Sequence, residues 1–229
     1  MRLIRRLFAA LSRRLERSLE AEAPTRRALG LTVIDRYASG SESERVLDEL
    51  CHAILMLRVE APQAFSRLLH NVESIVVRPL KSRGYFLRDD RRIVISGALV
   101  SAGNSSDVAL TLIHEITHAR IAATGFVART QEERTREEQI CERRVRAFVS
   151  AMAERDTDWT AHRDARLRAP LPVAPDLVSA WRNEHDNLIE QLTHAGVPAW
   201  VTGFVRRWAE WRVERIARHT PEADRAVQS

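Results

Sequence analysis

The chain has 229 residues but one lysine, Lys81, and two cysteines, Cys51 and Cys141. Two widely separated cysteines exclude a disulfide scaffold and fit a reducing compartment, so a cytoplasmic protein is expected. No uncharged apolar run approaches the ~18–20 residues that cross a bilayer. With 8 glycines and 8 prolines the composition is not that of a collagen-like chain, and no internal repeat is visible. The scarcity of lysine changes how the charge is read. The balance of 36 basic against 31 acidic residues gives +5, and every basic residue but Lys81 is arginine. That is a bias running along the whole chain. No basic, aromatic-interleaved stretch accompanies it, and no nucleic-acid partner is expected.

What is present is a folded composition, 45% apolar and 29% charged, sufficient for a core domain and a smaller helical lobe. Residues 1–22 read as an amphipathic basic helix. Leu3, Ile4, Leu7, Phe8, Leu11, Leu15 and Leu19 recur at helical spacing, with Arg2, Arg5, Arg6, Arg13, Arg14 and Arg17 elsewhere on the wheel. Such a helix packs on a core or a partner, and peripheral contact of residues 1–20 with a membrane surface is the alternative. A break is expected from Pro24 to Gly40. Ser41 and Glu44 then form an S-x-x-E capping box, opening a helix with Val46, Leu47, Leu50, Ile54 and Leu57 inward, and Pro62 starts a further short helix.

The period then changes. Ile75-Val76-Val77, Tyr85-Phe86-Leu87 and Ile93-Val94-Ile95 are short β-branched or aromatic runs separated by turn residues. They are expected to be three strands and the whole sheet. From Ser106 the pattern is helical to Thr124, with Gly125 as the stop, and a second helix runs from about Gln131 to Ala153. The fold class is thus α+β, mainly helical, with a small three-stranded sheet before the long helices. Residues 41–155 form the core domain, 156–176 a proline-containing connection, and 177–229 a helical tail packing on the core. In that tail Trp200, Phe204, Val205, Trp208 and Trp211 make an aromatic stripe expected to be core. Asp156, Asp158, His162 and Asp164 read as a solvated loop.

His114-Glu115-Ile116-Thr117-His118 is an H-E-x-x-H motif inside a predicted helix. Histidines at i and i+4 share one face, so two imidazoles can converge on one Zn²⁺, with Glu115 about 100° round the wheel as a base rather than a ligand. Apolar flanks from Leu110 to Ala122 bury this helix nearly all round, and buried polar groups need partners. A catalytic zinc site needs a third ligand and an open position. An H-E-x-x-H-x-x-G-x-x-H extension is excluded, because Ile121 and Thr124 stand at its glycine and histidine. Acidic residues on the next helix and the distant His162 remain. On that helix Cys141, Val145, Phe148 and Met152 form an apolar stripe whose extension lands between Glu137 and Glu138, with Glu142 on its border. Cys141 itself reads as a buried hydrophobe rather than a ligand.

The chain here resembles the zincin metallopeptidases, specifically the gluzincin branch, over Ile75 to about Met152. From His118 to Glu138 is 138 minus 118, or 20 residues, and Glu142 follows one turn later, an arrangement similar to that of thermolysin-like enzymes. The resemblance implies that Glu138 completes the set begun by His114 and His118, with one Zn²⁺ per chain. It also implies that Glu142 buttresses the first histidine and that Glu115 is the catalytic base. The zincin pattern of an edge strand before the active-site helix makes Ile93, Val94 and Ile95 the strand that holds a peptide or protein substrate. The expected function is a zinc metallopeptidase. The alternative is a zincin-fold regulatory or interaction module with weak or no catalysis.

Overall fold

The computed structural model describes residues 23–175, 186–187, 189–190, 192–194 and 196–217, without the side chains of 208–209 and 212–217. The amphipathic helix expected over 1–22 and much of the tail expected over 177–229 lie outside the described residues.

Where only a break was expected, a hairpin opens the fold. Strands β1 (Thr25–Ala28) and β2 (Leu31–Asp35) pair antiparallel, Ala28 opposite Leu31, across the two-residue turn Leu29-Gly30. Both turn residues have positive φ, 50° and 98°, the left-handed pair whose twist matches that of the flanking strands. Glycine satisfies this without cost, and Leu29 adopts it under the constraint of the two strands. At the end of β2 the buried Asp35 carboxylate accepts from the amides of Tyr37 at 2.8 Å and Ala38 at 3.2 Å and from the Ser43 hydroxyl at 2.6 Å. This fixes the entry to helix α1 (Ser41–Glu60), which buries Val46, Leu47, Leu50, Ile54 and Leu57 as expected. The capping box does not form. Gly40 is the N-cap and Ser41 the first helical residue, while Glu44 reaches Arg26 on β1. Helix α2 (Pro62–Asn71) begins at its proline, whose missing N–H costs nothing in a first turn.

Strands β3 (Ser74–Arg78), β4 (Gly84–Leu87) and β5 (Arg92–Ser96) complete a five-stranded sheet in the order β1-β2-β3-β5-β4. The β2–β3 and β3–β5 pairs are parallel, the outer pairs antiparallel. The α+β class stands, and the sheet has five strands rather than three. The expectation that Ile93, Val94 and Ile95 form an edge strand is corrected. β5 lies between β3 and β4, and all three residues are completely buried. A strand paired on both sides and covered on both faces becomes a continuous β-branched run, which describes Ile93-Val94-Ile95 as well as Ile75-Val76-Val77. Among the described residues the sheet ends instead at β4, whose four residues are all half-buried.

The rest is helical: α3 (Gly97–Ser101), α4 (Ser105–Ala123), α5 (Gln131–Ala153), a 3₁₀ turn (Thr157–Trp159), α6 (Thr160–Arg168) and α7 (Ala199–Ala217). Helix α4 is central, packing on α1, α2, α5 and β4. Its Leu110, Leu112 and Ile116 are buried to within 2%, each contributing about 1.5–3 kcal/mol. Gly125, at φ 79°, ends it as expected. Helix α5 starts on a capping box, Thr130 with Glu133, which the T-x-x-E pattern signals. The span expected as a connection holds α6, packed on α5. Part of the tail docks on this core. Asn187 accepts from the Lys81 amide at 3.1 Å, and His194 stacks on Tyr37 at 5.7 Å. Tyr37 in turn covers Gly97, where a Cβ would come within 1.9 Å of the ring. Of the aromatic stripe expected to be core, Trp200, Phe204 and Trp211 are 76%, 63% and 52% exposed.

Candidate metal centre

Helix α4 is anchored at its start by Asn104, whose side chain accepts from the Asp107 amide. It presents His114 and His118 one turn apart, with ring centroids 4.9 Å apart and Nε2 atoms 3.1 Å apart. Helix α5 crosses it and brings Glu138 between them. The Glu138 Oε2 atom lies 3.2 Å from His114 Nε2, and Oε1 lies 3.4 Å from His118 Nε2. Donors bound to one ion at ~2.0–2.1 Å with tetrahedral angles stand about 3.3 Å from one another. The observed separations are of that order, with a different Glu138 oxygen toward each histidine.

The electrostatics favour one positive charge at the point of convergence. His118 Nδ1 lies 3.0 Å from Glu137 Oε1. An ionised carboxylate only accepts, so Nδ1 carries a proton and Nε2 is the atom turned toward Glu138. Burial alone would lower the His118 pKa, but hydrogen bonds with Cys141, Glu137 and Glu138 outweigh it and hold it well above the ordinary value. Burial alone would raise Glu138, but its bonds to His114 and His118 hold it well below the carboxylate range. A proton or a metal cation at the centre satisfies both groups. Glu137 fixes the tautomer and the ring direction of His118, the usual task of a carboxylate behind a metal-binding histidine.

A third neighbour is the Cys141 thiol. A nitrogen from each histidine and the Cys141 sulfur all lie within 4.8 Å of one another, and this His114–His118–Cys141 group could hold a metal ion. Cys141 is completely buried, as its place in the apolar stripe required. Its sulfur nevertheless faces the histidines, one turn beyond Glu138. Burial pushes the thiol pKa up, and His118 partly opposes that.

Glu115 faces the same region from within α4 and is only 5% exposed. Burial raises its pKa, against the pull of His118 and His114. The Phe86 amide on β4 also favours the ionised form, so the edge strand and the carboxylate are neighbours.

The role expected of Glu142 is corrected. It does not reach His114. Its carboxylate takes Arg146 Nε at 3.1 Å and Arg166 at 2.8 Å. The physical reason is α6, which carries Arg166 against this turn of α5 and supplies the cation that a buried carboxylate needs. His162 does not join the cluster either. It tilts against Trp159 at 5.5 Å, and Asp156 caps the 3₁₀ turn by accepting from the Asp158 amide. Sequence reasoning missed the hydrogen bond of Glu137 to His118, although the apolar stripe of α5 pointed between Glu137 and Glu138.

Compared with known proteins, the chain matches no family model, no curated protein and no solved structure.

Proposed function

We propose that the protein is a zinc-dependent hydrolase, a metallopeptidase acting on a peptide or protein. The observation that carries this reading is the convergence of His114 Nε2, His118 Nε2 and the Glu138 carboxylate at 3.1–3.4 Å, beside the buried Glu115. His114, His118 and Glu138 would hold one Zn²⁺ per chain. When bound, the ion supplies a Lewis acid that polarises a scissile carbonyl and makes water a nucleophile near neutral pH. Glu115 accepts a proton from the attacking water and returns it to the leaving amine, its raised pKa suiting both steps. Glu137 keeps the His118 lone pair aimed at the centre. The peptide runs along β4, the edge strand that adjoins α4 and Glu115. Main-chain hydrogen bonds of the β-augmentation kind hold it there. Among the described residues no helix is long and apolar enough to cross a membrane, and both cysteines are free, which suits the cytoplasm.

The test is Glu115→Gln, measured for metal content and for cleavage of a peptide library. Full metal content with hydrolysis lowered about 10²–10⁴-fold supports the reading. Turnover equal to wild type removes Glu115 from the mechanism. Metal bound by both proteins with cleavage by neither, even when Cys141 is also replaced by alanine, favours the second reading, a zincin-fold regulatory or interaction module. One observation favours that alternative, namely the Cys141 thiol lying against the histidines.

A further inference from the structure

We propose that Cys141 is a fourth protein ligand of the metal centre, so that its thiolate closes the position a hydrolytic site must keep open and the resting protein is latent. This rests on the metal-centre reading above and concerns how that same centre is regulated. Helix α4 offers two donors at i and i+4, His114 and His118, and helix α5 offers two at i and i+3, Glu138 and Cys141. Both spacings place a pair on one helical face, and the two faces meet. The carboxylate oxygens lie 3.2 and 3.4 Å from the imidazole nitrogens, and the sulfur lies within 4.8 Å of a nitrogen on each histidine. One Glu138 oxygen added to the His114–His118–Cys141 group makes four donors, the coordination number of closed zinc sites.

The chemistry of the sulfur points the same way. A buried helix cysteine ordinarily packs as a small hydrophobe. This one is completely buried with its sulfur toward two imidazoles, where an apolar atom has little to gain. Its proton balance is simple: as the sulfur–metal bond forms, the S–H bond breaks and the proton leaves to solvent. Thiolate is the softest donor of the four and favours zinc over the hard divalent cations. A ligand set of His114, His118 and Glu138 alone leaves room for water. Adding Cys141 does not, and hydrolysis then requires the sulfur to leave the centre.

Cobalt(II) is the probe, because thiolate ligation gives it an intense near-ultraviolet charge-transfer band that nitrogen and oxygen ligands do not give. The full chain, freed of metal with a chelator, is titrated with cobalt(II) as wild type, Cys141→Ala, Cys141→Ser and Cys51→Ala. The chain has only two cysteines, so these variants assign the band. The expected result is one equivalent of cobalt with the band in wild type and Cys51→Ala. Both Cys141 variants should lose the band, keep the metal with affinity lowered about tenfold or more, and cleave peptides faster than wild type. Two variants of different size at a buried position guard against misfolding, and circular dichroism checks each. One equivalent bound by wild type without the band overturns the proposal and leaves the metal centre intact. Loss of the band in Cys51→Ala with its retention in both Cys141 variants also overturns it. No cobalt bound by wild type at all overturns the metal-centre reading, and this proposal with it.

Discussion

Two consecutive turns of α5 carry the same kind of residue and use it in opposite ways. In the first, Glu137 and Glu138 turn toward histidines of α4, at 3.0 Å from His118 and 3.2 Å from His114. In the second, Glu142 turns toward arginines, at 3.1 Å from Arg146 and 2.8 Å from Arg166. A carboxylate taken out of water needs a cation in either place. For Glu142 the chain supplies two permanent ones, and the site is complete in itself. For Glu138 it supplies two imidazoles, whose neutral forms offer lone pairs, and the arrangement is complete only with a proton or a metal. Charge that the protein brings itself holds a fold together; charge it has to acquire makes a binding site.

That contrast is broken most sharply by removing each carboxylate in turn. Glu138→Ala should lower zinc affinity by about 100-fold or more with little change in the melting temperature of the metal-free protein. Glu142→Ala should leave zinc affinity within about threefold and cost about 2–3 kcal/mol of stability, discounted for the partial exposure of Arg166. Titration calorimetry and denaturant unfolding read the two effects, and a stability loss for Glu138→Ala with metal loss for Glu142→Ala would reverse the assignment. Glu137→Gln probes the same turn of α5 with a smaller effect. An amide can still accept from His118 Nδ1 but brings no charge, so zinc affinity should fall about tenfold. No change would make Glu137 a bystander. The smallest expected effect is at Glu44, whose contact with Arg26 is an exposed pair. Glu44→Ala should cost less than about 1 kcal/mol by denaturant unfolding.

The legible parts of this molecule were those that follow from local period. The apolar run through Leu110 and Ile116 and the stripe from Cys141 to Met152 gave α4 and α5, and the same stripe gave the register that turns Glu137 and Glu138 inward. Strand order was not legible. The edge position of β4 depends on β5 pairing with β3, and nothing inside either strand records that beyond the β-branched runs of β3 and β5. Hairpin β1–β2 was hidden by Arg26 and Arg27 in one strand and by a turn of Leu29-Gly30 in place of an asparagine-glycine pair. Helix α6 buries none of its residues, so it has no apolar period to read. Without it the partner of Glu142, 24 residues away, could not be foreseen.

Everything proposed for the site depends on His114 and His118 being metal ligands. Zinc stoichiometry decides this, measured by elemental analysis on purified wild type and His114→Ala after equal exposure to zinc and removal of the excess. About one zinc per wild-type chain and almost none in the variant is the expected result. Equal zinc in the two proteins, whether one equivalent or none, would contradict it.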